Sequence, residues 1–148
     1  MAKRDKFPVP KPLTLADQMY RMRSKHPQFS SYIRRSAVIW EGPWSAAELG
    51  DEYALRICYP HARRPIISIL SPILKLAKKR KNLPHVYADG QLDICVHEAK
   101  DWSPRLYIAD TIMPWISEWI YFYEIWRQTG AWLGKGTHPE WPQHSEVP

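Results

Sequence analysis

Apolar side chains recur at helical spacing near the start of the chain. They follow one another at intervals of four and three residues, which places them on one face of a helix: Leu15, Met19 and Met22. Pro27 ends the pattern because the residue before a proline is disfavoured in the helical conformation. The pattern therefore predicts an amphipathic helix over Leu15–Lys25.

A second helical pattern occupies the last third of the chain. Its apolar stripe recurs at intervals of four, three, four and three residues: Ile112, Ile116, Trp119, Tyr123 and Trp126. Asp110 or Thr111 is suited to cap the helix, and Pro114 is tolerated because it falls in the first turn. Gly130 supplies a terminator. We predict a helix from about Asp110 to Thr129.

Short strands are predicted between the two helices. Ser36–Trp40 is rich in β-formers and precedes the turn-like sequence Glu41-Gly42-Pro43. Asp51–Pro60 alternates with period two, and its apolar face carries Tyr53, Leu55, Ile57 and Tyr59. Pro65–Leu70 is a third strand, whereas residues 84–102 are irregular apart from an extended stretch, Gln91–Val96. The order of elements predicts an α+β fold, an antiparallel β-meander packed by N- and C-terminal helices.

Composition limits the classes of protein to consider. A chain of 148 residues with 45% hydrophobic residues is long enough for one compact domain. No apolar run approaches the roughly 20 residues of a membrane-spanning helix, and no signal peptide is visible, so we expect no membrane association and a cytoplasmic location. The formal net charge is +6, and five of the seven residues in Lys75–Lys81 are basic. Such a segment is usually a solvated surface, with a docking patch as the alternative, and nucleic acid is an unlikely partner.

The two cysteines differ in their surroundings. Cys58 lies on the alternating strand, where we expect a buried, inert thiol. Cys95 lies in the irregular segment, close to His97. Two cysteines without paired spacing predict neither a disulfide scaffold nor a metal site, and no other cofactor is indicated.

The order of these features resembles the ubiquitin-conjugating (E2) fold, in which a loop led by histidine reaches a glycine and then the catalytic cysteine. The matching pieces are Trp40-Glu41-Gly42-Pro43, Tyr59-Pro60 with Pro65, His85, Gly90, Cys95 and Trp102-Ser103-Pro104. A closer resemblance is to the bacterial E2-like proteins of type II CBASS anti-phage operons. Its specific part is the run Ile108-Ala109-Asp110-Thr111-Ile112-Met113-Pro114-Trp115, followed by Glu118-Trp119, Tyr123-Glu124 and Thr129-Gly130.

This resemblance implies a division of the chain into three parts and a set of catalytic residues. It assigns residues 14–139 to the E2-like domain, preceded by a basic, proline-rich arm (1–13) and followed by a flexible tail (140–148). The implied catalytic residues are Cys95, His85 and Asp93. His85 either fixes the loop by hydrogen bonds to the backbone or contributes to an oxyanion site.

One departure from the family pattern leaves two hypotheses open. The nucleophile of the family follows the turn glycine by three positions, and that position here is Asp93. Counted from His85, however, Cys95 has the ten-residue spacing of the eukaryotic relatives. In an extended segment Asp93 and Cys95 share a face about 7 Å apart, and a carboxylate neighbour disfavours the thiolate. Either Cys95 is the nucleophile, or an aspartate has replaced it and the domain is inactive.

The resemblance also implies a function and partners. An acyl group carried as a thioester on Cys95 passes to an amine of a protein. The expected partner in type II CBASS is a cGAS-like nucleotidyltransferase, engaged through its C-terminus. A chain of this length leaves no room for an adenylating domain, so any activating step is expected to come from a partner or to be absent. The alternative is an inactive E2-like domain that serves as a binding or scaffold module.

Overall fold

A computed structural model describes residues 10–87 and 93–134 of the protein. Along these residues the chain forms α1 (Leu15–Lys25), β1 (Ser30–Arg34), β2 (Ala37–Ser45), β3 (Glu52–Pro60), β4 (Ile66–Ser71), a short 3₁₀ turn (Ala99–Asp101) and α2 (Ile112–Thr129). The four strands form one antiparallel sheet in sequence order. The predicted α+β fold with its β-meander is confirmed.

Helix α1 has the predicted bounds, and its N-terminus is closed by a capping box. The Thr14 hydroxyl accepts from the Asp17 N–H at 3.0 Å, and the Asp17 carboxylate accepts from the Thr14 N–H at 3.1 Å. The predicted stripe was incomplete because Gln18, a polar residue, is also buried. Its amide donates to the Leu106 carbonyl at 2.8 Å and accepts from the Ile108 N–H at 3.0 Å, which ties α1 to the segment before α2.

The edge strand β1 was not predicted, because all five of its residues are exposed and so show no alternation. It pairs with β2 through a hairpin whose two turn residues, Arg35 and Ser36, have φ of 50° and 64°. Two left-handed residues are typical of a type I′ turn, which usually carries Asn-Gly and is hard to recognise from Arg-Ser.

The turn predicted at Glu41-Gly42-Pro43 is wrong, because β2 continues through it to Ser45. Strand β1 ends its pairing with β2 at Glu41, so Pro43 lies where one side of β2 has no partner strand and its missing N–H costs no ladder bond. A Cβ on Gly42 would lie 2.9 Å from the Phe29 ring and 3.0 Å from the Gln28 carbonyl oxygen. The glycine is thus required by a close approach and not by a turn.

The core lies between the sheet and α2. The predicted alternation of β3 is confirmed, because its four predicted apolar side chains are buried and the residues between them are not. All five residues of the predicted stripe on α2 are also buried, and they belong to the same hydrophobic cluster. Two hydrogen bonds cross this interface: Tyr53 donates to Glu124 at 2.8 Å, and Trp44 donates to Ser117 at 2.9 Å.

Helix α2 begins two residues later than predicted. Thr111 is its N-cap residue, but the Thr111 hydroxyl donates to the Tyr107 carbonyl at 2.7 Å instead of capping the helix. Asp110 forms ion pairs with Arg21 and Lys25 of α1. Pro114 falls in the first turn and Gly130 ends the helix with a φ of 75°, both as predicted.

Several predicted features lie outside the described residues. These are Gly90 with the start of the Gln91–Val96 stretch, residues 1–9 of the arm, and the tail. The end of that stretch is described: Asp93 and Ile94 form isolated bridges with Ser68 and Val86. In the described parts of the chain, no helix is both long and apolar enough to cross a membrane.

Candidate active site

The candidate site is built on a short antiparallel pairing beside α2. Val86 lies opposite Ile94, and both side chains are buried. The Tyr87 N–H donates to the Asp93 carbonyl at 2.8 Å, and the Cys95 N–H donates to the His85 carbonyl at 2.8 Å. Asp93 and Cys95 are the neighbours of Ile94 in this pairing, and alternate residues of an extended segment point to the same face.

Cys95 lies at the surface of a cavity. Its side chain is half-buried, and the thiol donates to the His97 carbonyl at 3.4 Å. The cavity has a volume of about 300 Å³. Its lining combines four aromatic residues, two histidines and three carboxylates: Trp115, Trp119, Phe122, Trp132, His85, His97, Glu98, Asp101 and Glu118. The thiol thus faces a partly polar space of the size of a side chain.

His85 joins this pairing to α2 through its backbone. Its carbonyl accepts from the Trp119 indole at 3.1 Å as well as from Cys95. The residue has a φ of 47°, which is uncommon for a side chain with a Cβ. The imidazole is buried and packs against Trp132 with ring centroids 4.8 Å apart. These contacts fix the loop through the backbone carbonyl of His85, and both roles expected of its imidazole stay predictions.

Cys95 lines the cavity, whereas Asp93 does not. Its side chain is fully buried. One carboxylate oxygen accepts from the Arg64 guanidinium at 3.0 Å, and the other accepts from the Ile67 N–H at 3.1 Å. The carboxylate is therefore turned toward β4 and the residues before it, and this burial favours a structural role over contact with an incoming amine.

Three residues at the site were given no role by the sequence analysis. Arg64 lies over the ring of Tyr87, with its guanidinium carbon 3.9 Å from the ring centroid. The pKa of the Tyr87 phenol is raised to about 12, chiefly by burial and next by its interaction with the Cys95 side chain. His97 donates from Nδ1 to the Glu98 carbonyl at 2.7 Å. The only sequence signal for Tyr87 and His97 was their proximity to His85 and Cys95, and Arg64 lies too far away in the chain to give one.

Cys58 was expected to be buried, and this expectation is wrong. It lies half-buried on the outer face of β3, with Arg56. Burial raises the pKa of its thiol, and the nearby Arg56 only partly opposes that effect. The thiol is therefore protonated at neutral pH and poorly nucleophilic. Among the described residues, no group of three histidine, cysteine or acidic side chains is placed to hold a metal ion.

The basic segment Lys75–Lys81 is largely exposed. Leu74 and Ala77 are buried under it, whereas its charged side chains face solvent. Arg80 donates to the Gly130 carbonyl at 2.9 Å and so stabilises the end of α2. This contact gives part of the segment a structural role.

An α+β domain that places a half-buried cysteine between a β-meander and a C-terminal helix has the layout expected of an E2-like protein. Comparison with known families supports this class, since the family model for the type II CBASS E2 protein matches residues 18–139. The chain therefore belongs to the type II CBASS E2 family. No curated protein matches it.

Proposed function

We propose that this protein carries an acyl group as a thioester on Cys95 and transfers it to an amine of a protein partner. The observation that carries the proposal is the position of Cys95, whose half-buried thiol lines the cavity of about 300 Å³ beside α2. Cys58 lies on the outer face of the sheet, where burial holds its thiol protonated. Membership in the type II CBASS E2 family supports a role in anti-phage defence.

The proposed reaction has two steps. In the first, the Cys95 sulfur attacks the carbonyl carbon of a thioester on a separate activating protein; a new C–S bond forms and the donor thiolate leaves. In the second, a neutral amine attacks the same carbon. An amide bond forms, the bond to Cys95 breaks and its thiolate leaves, and the proton of the amine passes to a carboxylate or to water.

The lining of the cavity fits a lysine side chain as the acceptor. Glu98, Asp101 and Glu118 bring carboxylates to the same space as the thiol, and Glu98 already pairs with the Lys100 ammonium at 3.3 Å. Trp115 and Trp119 also line the cavity, and aromatic side chains offer apolar surface for a lysine stem and attract an ammonium group. We assign the orientation of the amine to these carboxylates, because the Asp93 carboxylate is held by Arg64.

The partner we propose is a cGAS-like nucleotidyltransferase, engaged through its C-terminus. The family to which the chain belongs supports this partner, because CBASS E2 proteins operate in a multi-protein system. A separate activating enzyme would supply the first thioester.

The test is co-expression of the full chain with the nucleotidyltransferase and activating enzyme of its operon. We expect an adduct, seen by intact mass spectrometry, that a thiol reductant removes. The Cys95→Ser variant should instead form an oxygen ester that resists reductant, since an alkoxide is a poorer leaving group than a thiolate. Cys58→Ser is the matched control and should behave as the parent. An adduct that persists in Cys95→Ala, or maps to Cys58, would contradict the proposal.

A non-catalytic binding module is the second candidate function, and the position of Asp93 favours it. The family pattern expects the nucleophile three residues after the turn glycine, where this chain has an aspartate. If the parent protein copurifies with the nucleotidyltransferase without any adduct, and Cys95→Ala copurifies equally well, the binding module is the better description.

A further inference from the structure

The basic segment Lys75–Lys81 has no regular secondary structure, yet it is fixed against α2 at several points. The Tyr123 hydroxyl of α2 accepts from the Lys75 N–H at 2.7 Å and donates to the Lys75 carbonyl at 3.4 Å. Ala77 is buried and belongs to the hydrophobic core. The Arg80 guanidinium donates at 2.9 Å to the carbonyl of the glycine that ends α2. The segment therefore presents its lysines to solvent from a backbone that is held in place.

The positive charges of the basic segment have no ion-pair partner among the described residues. Four lysines and one arginine occur within seven positions, and all five side chains are exposed. None of the ion pairs within residues 10–87 and 93–134 includes one of them. A cation near the C-terminus of a helix stabilises that end, and Arg80 and Arg127 already serve α2 in this way. The lysines are a further positive charge, which favours an acidic partner.

A second cavity begins beside this segment and has a volume of about 510 Å³. It is separate from the cavity of Cys95, because the two share no lining residue. Its lining includes two cations, Lys75 and Arg127, and two acids at the start of β3, Asp51 and Glu52. Ile73 also lines it and is 82% exposed, so a large apolar side chain is open to solvent next to the lysines.

We propose that the basic segment and this second cavity form a docking surface for an acidic segment of a partner protein that also carries an apolar side chain. The carboxylates of that segment pair with the exposed lysines, and its apolar side chain packs against Ile73 in the cavity. The lysines steer the partner to the surface, and the apolar contact adds affinity that salt does not screen. Docking there holds a partner on the domain without occupying the cavity of Cys95.

Two features favour a protein segment over a nucleic acid. Asp51 and Glu52 line the same cavity as Lys75 and Arg127, so a phosphate that entered it would meet negative charge, whereas an apolar side chain would not be repelled. Residues 71–82 include no aromatic ring on which a base could stack. A protein segment that combines carboxylates with an apolar side chain is complementary to both parts of the surface.

The test is fluorescence anisotropy with the full chain and a labelled synthetic peptide of repeated Glu-Glu-Leu units as the probe. The double variant Lys78→Glu, Lys79→Glu reverses two exposed charges and leaves the buried and hydrogen-bonded residues of the segment unchanged. We expect Kd to rise by about tenfold, the factor that corresponds to the loss of two exposed ion pairs. The matched control is Arg34→Glu, Arg105→Glu, which makes the same change of charge at exposed positions elsewhere and should raise Kd far less.

The apolar contact is tested separately. Ile73→Ser should raise Kd by about fivefold, because an isoleucine side chain that the peptide partly buries is lost. Ile33→Ser, at an exposed position of β1, is its control and should leave Kd unchanged. A peptide of Glu-Glu-Ser units should bind the parent more weakly than the Glu-Glu-Leu peptide does. This difference should disappear in Ile73→Ser, since the two changes remove the same contact.

Absence of peptide binding to the parent, or an unchanged Kd in Lys78→Glu, Lys79→Glu or in Ile73→Ser, would overturn the proposal. So would tighter binding of a labelled oligothymidylate than of the peptide, because that result identifies a nucleic-acid site. If thermal unfolding shows that the charge reversal impairs folding, Lys78→Gln, Lys79→Gln replaces it and should raise Kd in the same direction.

Peptide binding requires neither the thiol of Cys95 nor a conjugation partner. Cys95→Ala should therefore bind the peptide as the parent does. The proposed acyl transfer is contradicted only by the co-expression experiment, so the failure of one proposal is distinguishable from the failure of the other.

Discussion

Position 93 shows how the burial of one side chain distinguishes two explanations of the same sequence. Counted from the turn glycine, the nucleophile position of the family falls on Asp93. Counted from His85, the same position falls on Cys95. Asp93 is fully buried and accepts from Arg64 and from the Ile67 N–H, whereas Cys95 lines a cavity. A nucleophile needs access to the acyl donor, so the position of Cys95 in the cavity supports the proposal that it is the nucleophile, and an inactive domain stays the alternative.

A cysteine introduced by Asp93→Cys should therefore form no adduct. We expect the variant Asp93→Cys with Cys95→Ala to be as inactive in the co-expression experiment as Cys95→Ala alone, as judged by intact mass spectrometry. The same substitution should lower the free energy of unfolding by about 1–3 kcal/mol, because the buried Ile67 N–H loses its acceptor. An adduct on the introduced thiol, with none in the parent, would identify this protein as an inactive E2.

At the scale of elements, α2 connects the hydrophobic core to the candidate site. One face of the helix contributes seven buried residues to the core. Trp119 lies on that face, stacks against Tyr123 with ring centroids 5.4 Å apart, and donates its indole N–H to the His85 carbonyl. It also lines the cavity that contains Cys95. The packing of α2 therefore sets the position of the loop that carries the site.

Truncation of this side chain should destabilise the whole domain. Trp119 is 3% exposed, and Trp119→Ala should cost about 3–5 kcal/mol because it removes buried aromatic surface and leaves a cavity. This loss corresponds to a decrease in Tm of at least about 6 °C for a domain of this size. Tyr121→Ala, on the same helix but 57% exposed, is the control and should change Tm little. Equal decreases in the two variants would mean that the buried face of α2 has been misassigned.

The elements that were predicted correctly share a strong periodic signal in the sequence. Helices α1 and α2 and strand β3 each bury one face, so hydrophobic spacing alone marks them. Strand β1 carries no such signal because its residues are all exposed, and its turn uses Arg35 and Ser36. For the candidate site, the sequence could indicate only residues that lie close together in the chain. His85, Asp93 and Cys95 were proposed from the family resemblance, but Arg64 comes to Tyr87 through tertiary structure that no local pattern encodes.

At the scale of the whole molecule, the N-terminal helix is tied to the start of the C-terminal one. Asp110 accepts from Arg21 at 3.0 Å and from Lys25 at 2.7 Å. Gln18 bridges the same two regions through the backbone of residues 106 and 108. Three side chains of α1 thus contact residues within the six that precede α2, and these contacts join the N-terminal helix to the C-terminal part of the domain.

The stability that these contacts contribute should depend on pH, in a direction set by the ionisation of Asp110. The hydrogen bond from Arg21, followed by that from Lys25, lowers the pKa of the Asp110 carboxyl in the folded protein, and burial opposes the shift only in part. A carboxyl whose pKa is lower in the folded state than in the unfolded state stabilises the fold above its unfolded pKa of about 3.9. That contribution is lost as the pH falls through the folded pKa. Asp110→Asn should therefore lower Tm at pH 7, and parent and variant should converge at acidic pH.

The measurement is thermal unfolding of both proteins from pH 7 down to pH 2.5. The loss at pH 7 should be small, a few degrees or less, because all three side chains are partly exposed and solvent screens their attraction. The loss of Tm at pH 7 should be smaller in high salt, because salt screens the attraction of Asp110 for Arg21 and Lys25. Glu48→Gln is the matched control for the loss of one negative charge, because Glu48 is exposed and lies in the loop between β2 and β3. A difference between Asp110→Asn and the parent that stays constant down to pH 2.5 would show that Asp110 stabilises the domain by packing and not by its charge.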